Sequence, residues 1–441
     1  MTVAISTPFS SKSTDPIVKP DGNTNEDINA NINADINDST SESGDVPKGA
    51  LHGIKVLDLS RVLAGPSCTQ ILADLGADVI KVERPKIGDE TRHWAPPTFS
   101  DDTSAYYATI NRNKKSLTVD ITAPAGQTII KQLIAESDIV VENFKVGGLK
   151  KYGLDYDSLK QANPRLIYAS LTGFGQTGPD AARPGYDYII QGLSGLMSIT
   201  GPSDGEPHKV GVAVVDLFAG LQLTIGIQAA LLARQNTGLG QQVDVALLDS
   251  ALAMLANVGM NHLASGKIPP RLGNQHPSIV PYQVFAADKE AHFVLACGND
   301  SQFARLCDVL GVDWYTDSRF ITNPDRVAHR DVLCDALAKR FAEKPRAHWL
   351  AVLDQAGVPC GAIHNVAEAL AMPQAQAREM IIDFAAFDSP VKALGSPIKL
   401  SASPVSYRIP PPRLSEHTDS TLADLGYDSE TIAKLKADGI V

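Results

Sequence analysis

Residues 54–83 read IKVLDLSRVLAGPSCTQILADLGADVIKVE, and this stretch decides the fold. Ile54–Leu59 and Ala77–Glu83 are short apolar runs of strand length, and the helix-compatible stretch Ser67–Leu75 lies between them. Strands separated by a helix are joined by a right-handed crossover and lie parallel in one sheet. The alternation continues downstream. Ser116–Asp120, Asp138–Glu142 and Arg165–Leu171 are further strand-like runs, with helical patterns at Ala125–Glu136 and Asp155–Gln161. The expected class is therefore α/β, built on a mostly parallel sheet.

The centre of the chain changes texture. Asp187–Ser198 and Leu217–Arg234 read as helices, the second apolar nearly all round and closed by Thr237-Gly238. A helix hydrophobic on every face belongs in a core or a subunit interface, and glycine suits the left-handed position that ends it. Tyr282–Ala287 and Ala291–Cys297 read as an antiparallel hairpin, followed by helical segments at Ser301–Leu310, His329–Phe341 and Arg346–Ala356. The expected organisation is a large domain starting at 50–264, a smaller α+β domain at 265–385, and a return to the large domain over 386–441, where Thr418–Val441 reads helical.

Composition narrows the function. The chain has 441 residues, too many for one simple core. Residues 1–49 are rich in Asn, Asp, Ser and Thr, too polar to offset the entropy of ordering, and are expected to form a disordered acidic tail. The net charge of −11, with no basic run in the body, argues against a nucleic-acid partner. No stretch approaches the roughly 20 uninterrupted apolar residues of a membrane span, so no membrane partner is expected. The five cysteines are scattered without a CxxC pair, which reads as reduced thiols and no metal site. A cytoplasmic location follows as the expectation. The acid-free stretch Met1–Thr14 leaves mitochondrial import open, although the tail lacks arginine.

Few residues carry chemistry by themselves. Gly173-Phe-Gly175-Gln-Thr-Gly178 matches a dinucleotide fingerprint literally, but Pro179 and Pro184 follow where a helix would have to begin, so it reads as a glycine-rich loop. Asp216 stands where the apolar run Val210–Val215 meets the long helix. It reads either as an N-cap or as a carboxylate nucleophile kept ionised by the helix terminus in an apolar surround. Arg84 follows a strand, where a parallel sheet places ligands, and reads either as a ligand contact or as a solvated arginine. No Ser-His-Asp order, HExxH or Walker loop is present.

Longer motifs go further. The segment Leu51–Arg92 resembles the opening of the class III CoA-transferases, the family of formyl-CoA:oxalate and carnitine CoA-transferases. Matches follow in order at 111–120 (NRNKKSLTVD), 141–144 (VENF), 171–201, 210–221 (VGVAVVDLFAGL) and 417–441. The resemblance implies a Rossmann-like large domain, a small domain, and an interlocked homodimer. It implies acyl-CoA and small carboxylic acids as substrates, with no permanently bound cofactor. It assigns the catalytic carboxylate to Asp216, and CoA contacts to Leu63, Ala64, Arg84, Asn143, Phe144, Lys151 and the Arg183–Tyr186 stretch. Leu63, Lys151 and Asp187 differ from the oxalate enzyme, and Gly273–Ser278 replaces its glycine run, which disfavours oxalate. The stretch GNQHPSIVPYQ (273–283) resembles the branch that moves CoA from succinyl-CoA to glutarate-like acids. A distal carboxylate needs a partner in a closed site, and Arg92, Arg112 and His276 are the candidates.

The same fold hosts α-methylacyl-CoA racemases, which need a second base, a histidine in a GHD motif. Here Gly185-Tyr186-Asp187 stands instead, and a phenol of pKa about 10 is a poor base at neutral pH. A non-catalytic CoA-binding homologue is the remaining alternative, and an intact Asp216 argues against it.

Overall fold

Six parallel strands run in the order β3-β2-β1-β4-β5-β6: Lys55–Asp58 (β1), Asp78–Glu83 (β2), Lys114–Thr118 (β3), Ile139–Glu142 (β4), Ile167–Thr172 (β5) and Gln242–Ala246 (β6). A computed structural model describes residues 48–99, 102–288, 291–384 and 391–441. The tail expected over 1–49 lies outside these residues except for its last two.

The sheet is two-faced because strand side chains alternate. Val56, Ile139, Val141, Ile167 and Ala169 point to one face; Leu57, Val140 and Tyr168 point to the other. The first face is covered by α1 (Ala64–Asp74) and α4 (Val214–Thr237), through Cys68, Leu72, Leu223 and Ile227. The second is covered by α2 (Pro124–Glu136) and two C-terminal helices, α5 (Thr418–Asp424) and α6 (Ser429–Ala437), through Ile129, Ile130, Leu422 and Leu435. The chain end is thereby fastened to the sheet its beginning built. Asp120 N donates to Ile440 O at 2.7 Å and His417 N to Ser116 O at 3.0 Å.

A separate core lies further along the chain. Strands β7 (Tyr282–Ala286), β8 (His292–Ala296) and β9 (Cys360–Ala362) pair antiparallel. Phe293, Phe303, Phe341 and Trp349 pack with them, and the Trp349 indole donates to Phe341 O at 2.8 Å. A two-stranded ribbon, β10 (Ile381–Phe384) with β11 (Val391–Leu394), follows.

Three details differ from the expectations set by the sequence. Asp187–Ser198 is two short helices, α3 (Asp187–Leu193) and Leu196–Ile199, broken at Gly195, whose φ of 86° is left-handed. Strand β6 has no counterpart among the expected strands because its residues alternate between exposed and half-buried, a weak apolar signal at a sheet edge. Helix α4 buries one face only: Leu217, Leu221, Ile225 and Leu232 are exposed.

Candidate active site

The strand order fixes where a ligand can go. After β1 the chain builds β2 and β3 on one side, and β4 then starts the other side, so the loops leaving β1 and β4 diverge at a switch point. Beyond the carboxyl ends of these strands lie two clefts that share Arg61, Phe144 and Lys145. The first, about 370 Å³, is bordered by the loops after β1 to β4 and carries Arg84, Lys145 and Lys151. The Lys151 ammonium sits 4.6 Å from the centre of the Tyr152 ring. Among the described residues none of these three cations pairs with a carboxylate. Three cations without a carboxylate partner in one cleft can neutralise phosphates.

The second cleft, about 250 Å³, contains Leu63, Ala64, Arg183, Tyr186, Trp94 and Asp216. Close packing of two helices brings Asp216 there. Gly220 on α4 faces α1, and a side chain there would meet Ser67 Oγ at 2.2 Å and Ala64 O at 2.6 Å. Asp216 lies four residues earlier on the same face, so it stands over the N-terminal mouth of α1. A second glycine contact shapes the wall: a Cβ on Gly173 would lie 2.6 Å from Gly185 Cα, so the loops after β5 and before α3 cross backbone to backbone. The Gly173–Gly178 stretch is the loop its prolines imply, with no helix before Asp187.

Asp216 is not an N-cap. Helix α4 starts at Val214, and its orphan amides are served by Asp187, whose Oδ1 accepts from Val215 N at 2.8 Å and Asp216 N at 3.3 Å. Gln191 Nε2 steadies the other Asp187 oxygen at 2.7 Å. The Asp216 carboxylate itself has no hydrogen-bond partner among the described residues. Burial, with the nearby Asp187 charge, pushes its pKa up to about 7. The helix terminus therefore does not keep it firmly ionised, contrary to the expectation from its position. It is a poorly solvated carboxylate poised at neutral pH.

Other assigned residues take varied places. Leu63 is the buried residue before α1, Ala64 its first residue, and Phe144 borders both clefts. Arg183 pairs with Asp180 at 2.9 Å and lies over the Phe174 ring, while Tyr186 is exposed. Asn143 borders the second cleft while its amide holds the backbone, accepting from Arg61 N at 3.0 Å and donating to Arg61 O at 2.7 Å.

The three proposed carboxylate partners do not gather at Asp216. Arg92 is spent on Glu83, at 2.7 Å and 2.8 Å, and on the Tyr107 ring at 3.8 Å. Arg112 is buried against Asp74 at 2.6 Å and donates to Leu394 O at 2.8 Å. His276 lies before β7, beside Tyr282, and partial burial with the neighbouring Arg330 lowers its pKa, so it is neutral at pH 7. An arginine flanking a motif looks free in a sequence; only the fold reveals the carboxylate that claims it.

Sequence reasoning missed Lys145, although it directly follows the VENF motif. It also missed Trp94 and Tyr106, packed edge to face at 4.9 Å near Asp216, for which no sequence signal existed.

Residues 51–418 match the family model described as CoA-transferase family III. The chain is 47% identical over 385 residues to a succinate–glutarate CoA-transferase of Agrobacterium fabrum, covering 86% of this chain and 96% of that one. It is 45% identical over 338 residues to an acetyl-CoA:oxalate CoA-transferase of Acetobacter aceti, covering 76% and 86%. A crystal structure of a CAIB/BAIF family protein from Brucella suis superposes with a TM-score of 0.76 at 48% identity, covering 86% of this chain and all of that one.

Proposed function

The chain belongs to CoA-transferase family III, and from that premise we propose that it moves CoA from succinyl-CoA to a dicarboxylic acid through a thioester on Asp216. The observation that carries this reading is the Asp216 carboxylate: unpartnered, poorly solvated, and open to a cleft continuous with a cation-lined one.

The chemistry is a double displacement. The Asp216 carboxylate attacks the donor thioester carbon, giving a mixed anhydride and CoA thiolate. The thiolate attacks the Asp216 acyl carbon, forming the aspartyl–CoA thioester and releasing the donor acid. The acceptor carboxylate then attacks that thioester, giving a second anhydride and free thiolate. Attack of the thiolate on the acceptor acyl carbon yields the new acyl-CoA and restores Asp216. A carboxylate stripped of water is the better nucleophile for the first step. Arg84, Lys145 and Lys151 hold the nucleotide end, and the pantetheine arm passes Phe144 toward Asp216.

The exposed stripe Leu217, Leu221, Ile225 and Leu232 supports a homodimer in which a second copy covers α4. Four to six carbons are the expected acceptor length. The test is a panel of acids incubated with succinyl-CoA, products separated by mass. Succinate, glutarate and their neighbours should lead, with oxalate and monocarboxylates poor. Equal transfer to propionate would overturn the dicarboxylate assignment.

A further inference from the structure

The turn that leads from β1 into α1 is gripped from three sides. Lys81 Nζ donates to Ser60 O at 2.9 Å. Asn143 brackets Arg61, taking its N–H and donating to its carbonyl. Val62 N donates to the Asp89 carboxylate, at 3.2 Å and 3.4 Å to its two oxygens. Lys81 and Asp89 pair with each other at 2.9 Å, and both side chains are 0% exposed. One buried ion pair thus holds the backbone on either side of Arg61.

What it holds is an unfavourable conformation. Val62 has φ of 71°, in the left-handed region that a β-branched residue occupies least readily. Nothing in the local sequence prefers that geometry, so the surrounding structure must impose it. The consequence falls on the next two residues, Leu63 and Ala64, which border the cleft containing Asp216. A buried ion pair is a weak source of stability by itself. Here its value is directional, a donor and an acceptor aimed at the two ends of one turn. Burial alone would raise the Asp89 pKa; Lys81 and the hydrogen bonds from Thr91 more than offset this, so the acceptor stays ionised.

We propose that Lys81 and Asp89 are positioning residues for acyl-CoA binding: they hold Val62 left-handed so that Leu63 and Ala64 face the groove. This rests on the reading of the two clefts as the acyl-CoA site. Releasing the turn lowers the fraction of enzyme competent to bind, which raises the apparent dissociation constant in proportion.

The test uses the full chain and succinyl-CoA. The double variant Lys81→Met/Asp89→Leu removes both charges together, leaving neither buried and unpaired. It should raise KM for succinyl-CoA about tenfold or more while changing kcat less. Adding Val62→Gly should then recover at least half of that loss on a logarithmic scale, because glycine adopts positive φ unaided. A merely structural pair would lower thermal stability and leave the Val62→Gly change without effect on KM. Should the double variant not fold, Val62→Pro in the wild-type background serves: proline cannot take positive φ and has no N–H. It should give the same rise in KM. An unchanged KM in either clamp variant, or no recovery with glycine, overturns the proposal. Arg84→Ala separates the two readings. If it raises KM and the clamp variants do not, only the clamp fails; if it leaves KM unchanged, the site reading fails and the clamp with it.

Discussion

The Asp187 carboxylate caps the helix that carries Asp216, accepting from Val215 N at 2.8 Å and from Asp216 N at 3.3 Å. One acid thereby does two things to another. It relieves Asp216 of capping duty, leaving that carboxylate free for chemistry, and its charge adds to burial in pushing the Asp216 pKa to about 7.

The pH profile follows. Because the ionised form attacks, kcat/KM for succinyl-CoA should rise with pH through a midpoint near 7. Asp187→Asn keeps an acceptor for the helix amides but removes the like charge, so the midpoint should move to lower pH. A midpoint that stays fixed, or rises, would contradict the coupling.

Stability carries the same signature with a definite sign. An acid whose folded pKa is raised favours the folded state below its unfolded pKa and loses that advantage as pH rises through the folded value. Asp216→Asn should therefore melt higher than wild type at pH 8, and the gap should close as pH falls toward 4. The full effect is bounded by a few kcal/mol, since a tenfold change in an ionisation equilibrium corresponds to about 1.4 kcal/mol. A variant that melts lower than wild type at pH 8 would show that Asp216 is not poorly solvated.

Arg84→Ala should raise KM for every acyl-CoA donor alike, since the guanidinium is proposed to hold the nucleotide end. Loss of a charge-assisted contact worth about 1.5–3 kcal/mol corresponds to roughly ten- to hundredfold. Steady-state kinetics with succinyl-CoA and acetyl-CoA decide it: a rise confined to one donor would put Arg84 in the acyl pocket.

Arg112→Ala should act on folding and not on substrate choice. It leaves Asp74 buried without its partner, a loss of about 3–5 kcal/mol. Thermal melts should drop markedly while the glutarate-to-propionate ratio of the residual activity stays put. A selective loss of dicarboxylate transfer would restore Arg112 as a substrate ligand.

Local pattern carried most of the large sheet. Ile54–Leu59 and Ala77–Glu83 declared β1 and β2 because both their faces are buried, giving near-continuous apolar runs. Gln242–Ala246 did not, because an edge strand with half-exposed residues leaves no such run. The candidate site was legible in position where a motif fixes a residue's place: Asp216, Leu63, Ala64, Arg84 and Phe144 all border the two clefts. It was illegible where a role depends on a partner distant in sequence. Arg112 and Asp74 are 38 residues apart, and Asp187 caps amides 28 and 29 residues on. Such pairings arise only when crossing connections bring helices and strand ends together.

The proposed double displacement requires a covalent intermediate on Asp216. The direct measurement is to mix the enzyme with succinyl-CoA alone, quench with hydroxylamine, digest, and locate the modified carboxylate by mass spectrometry. The expected product is a hydroxamate on Asp216 that forms only when donor is present and is absent from Asp216→Asn. A hydroxamate on another carboxylate, or none while the same preparation turns over with acceptor, would contradict it.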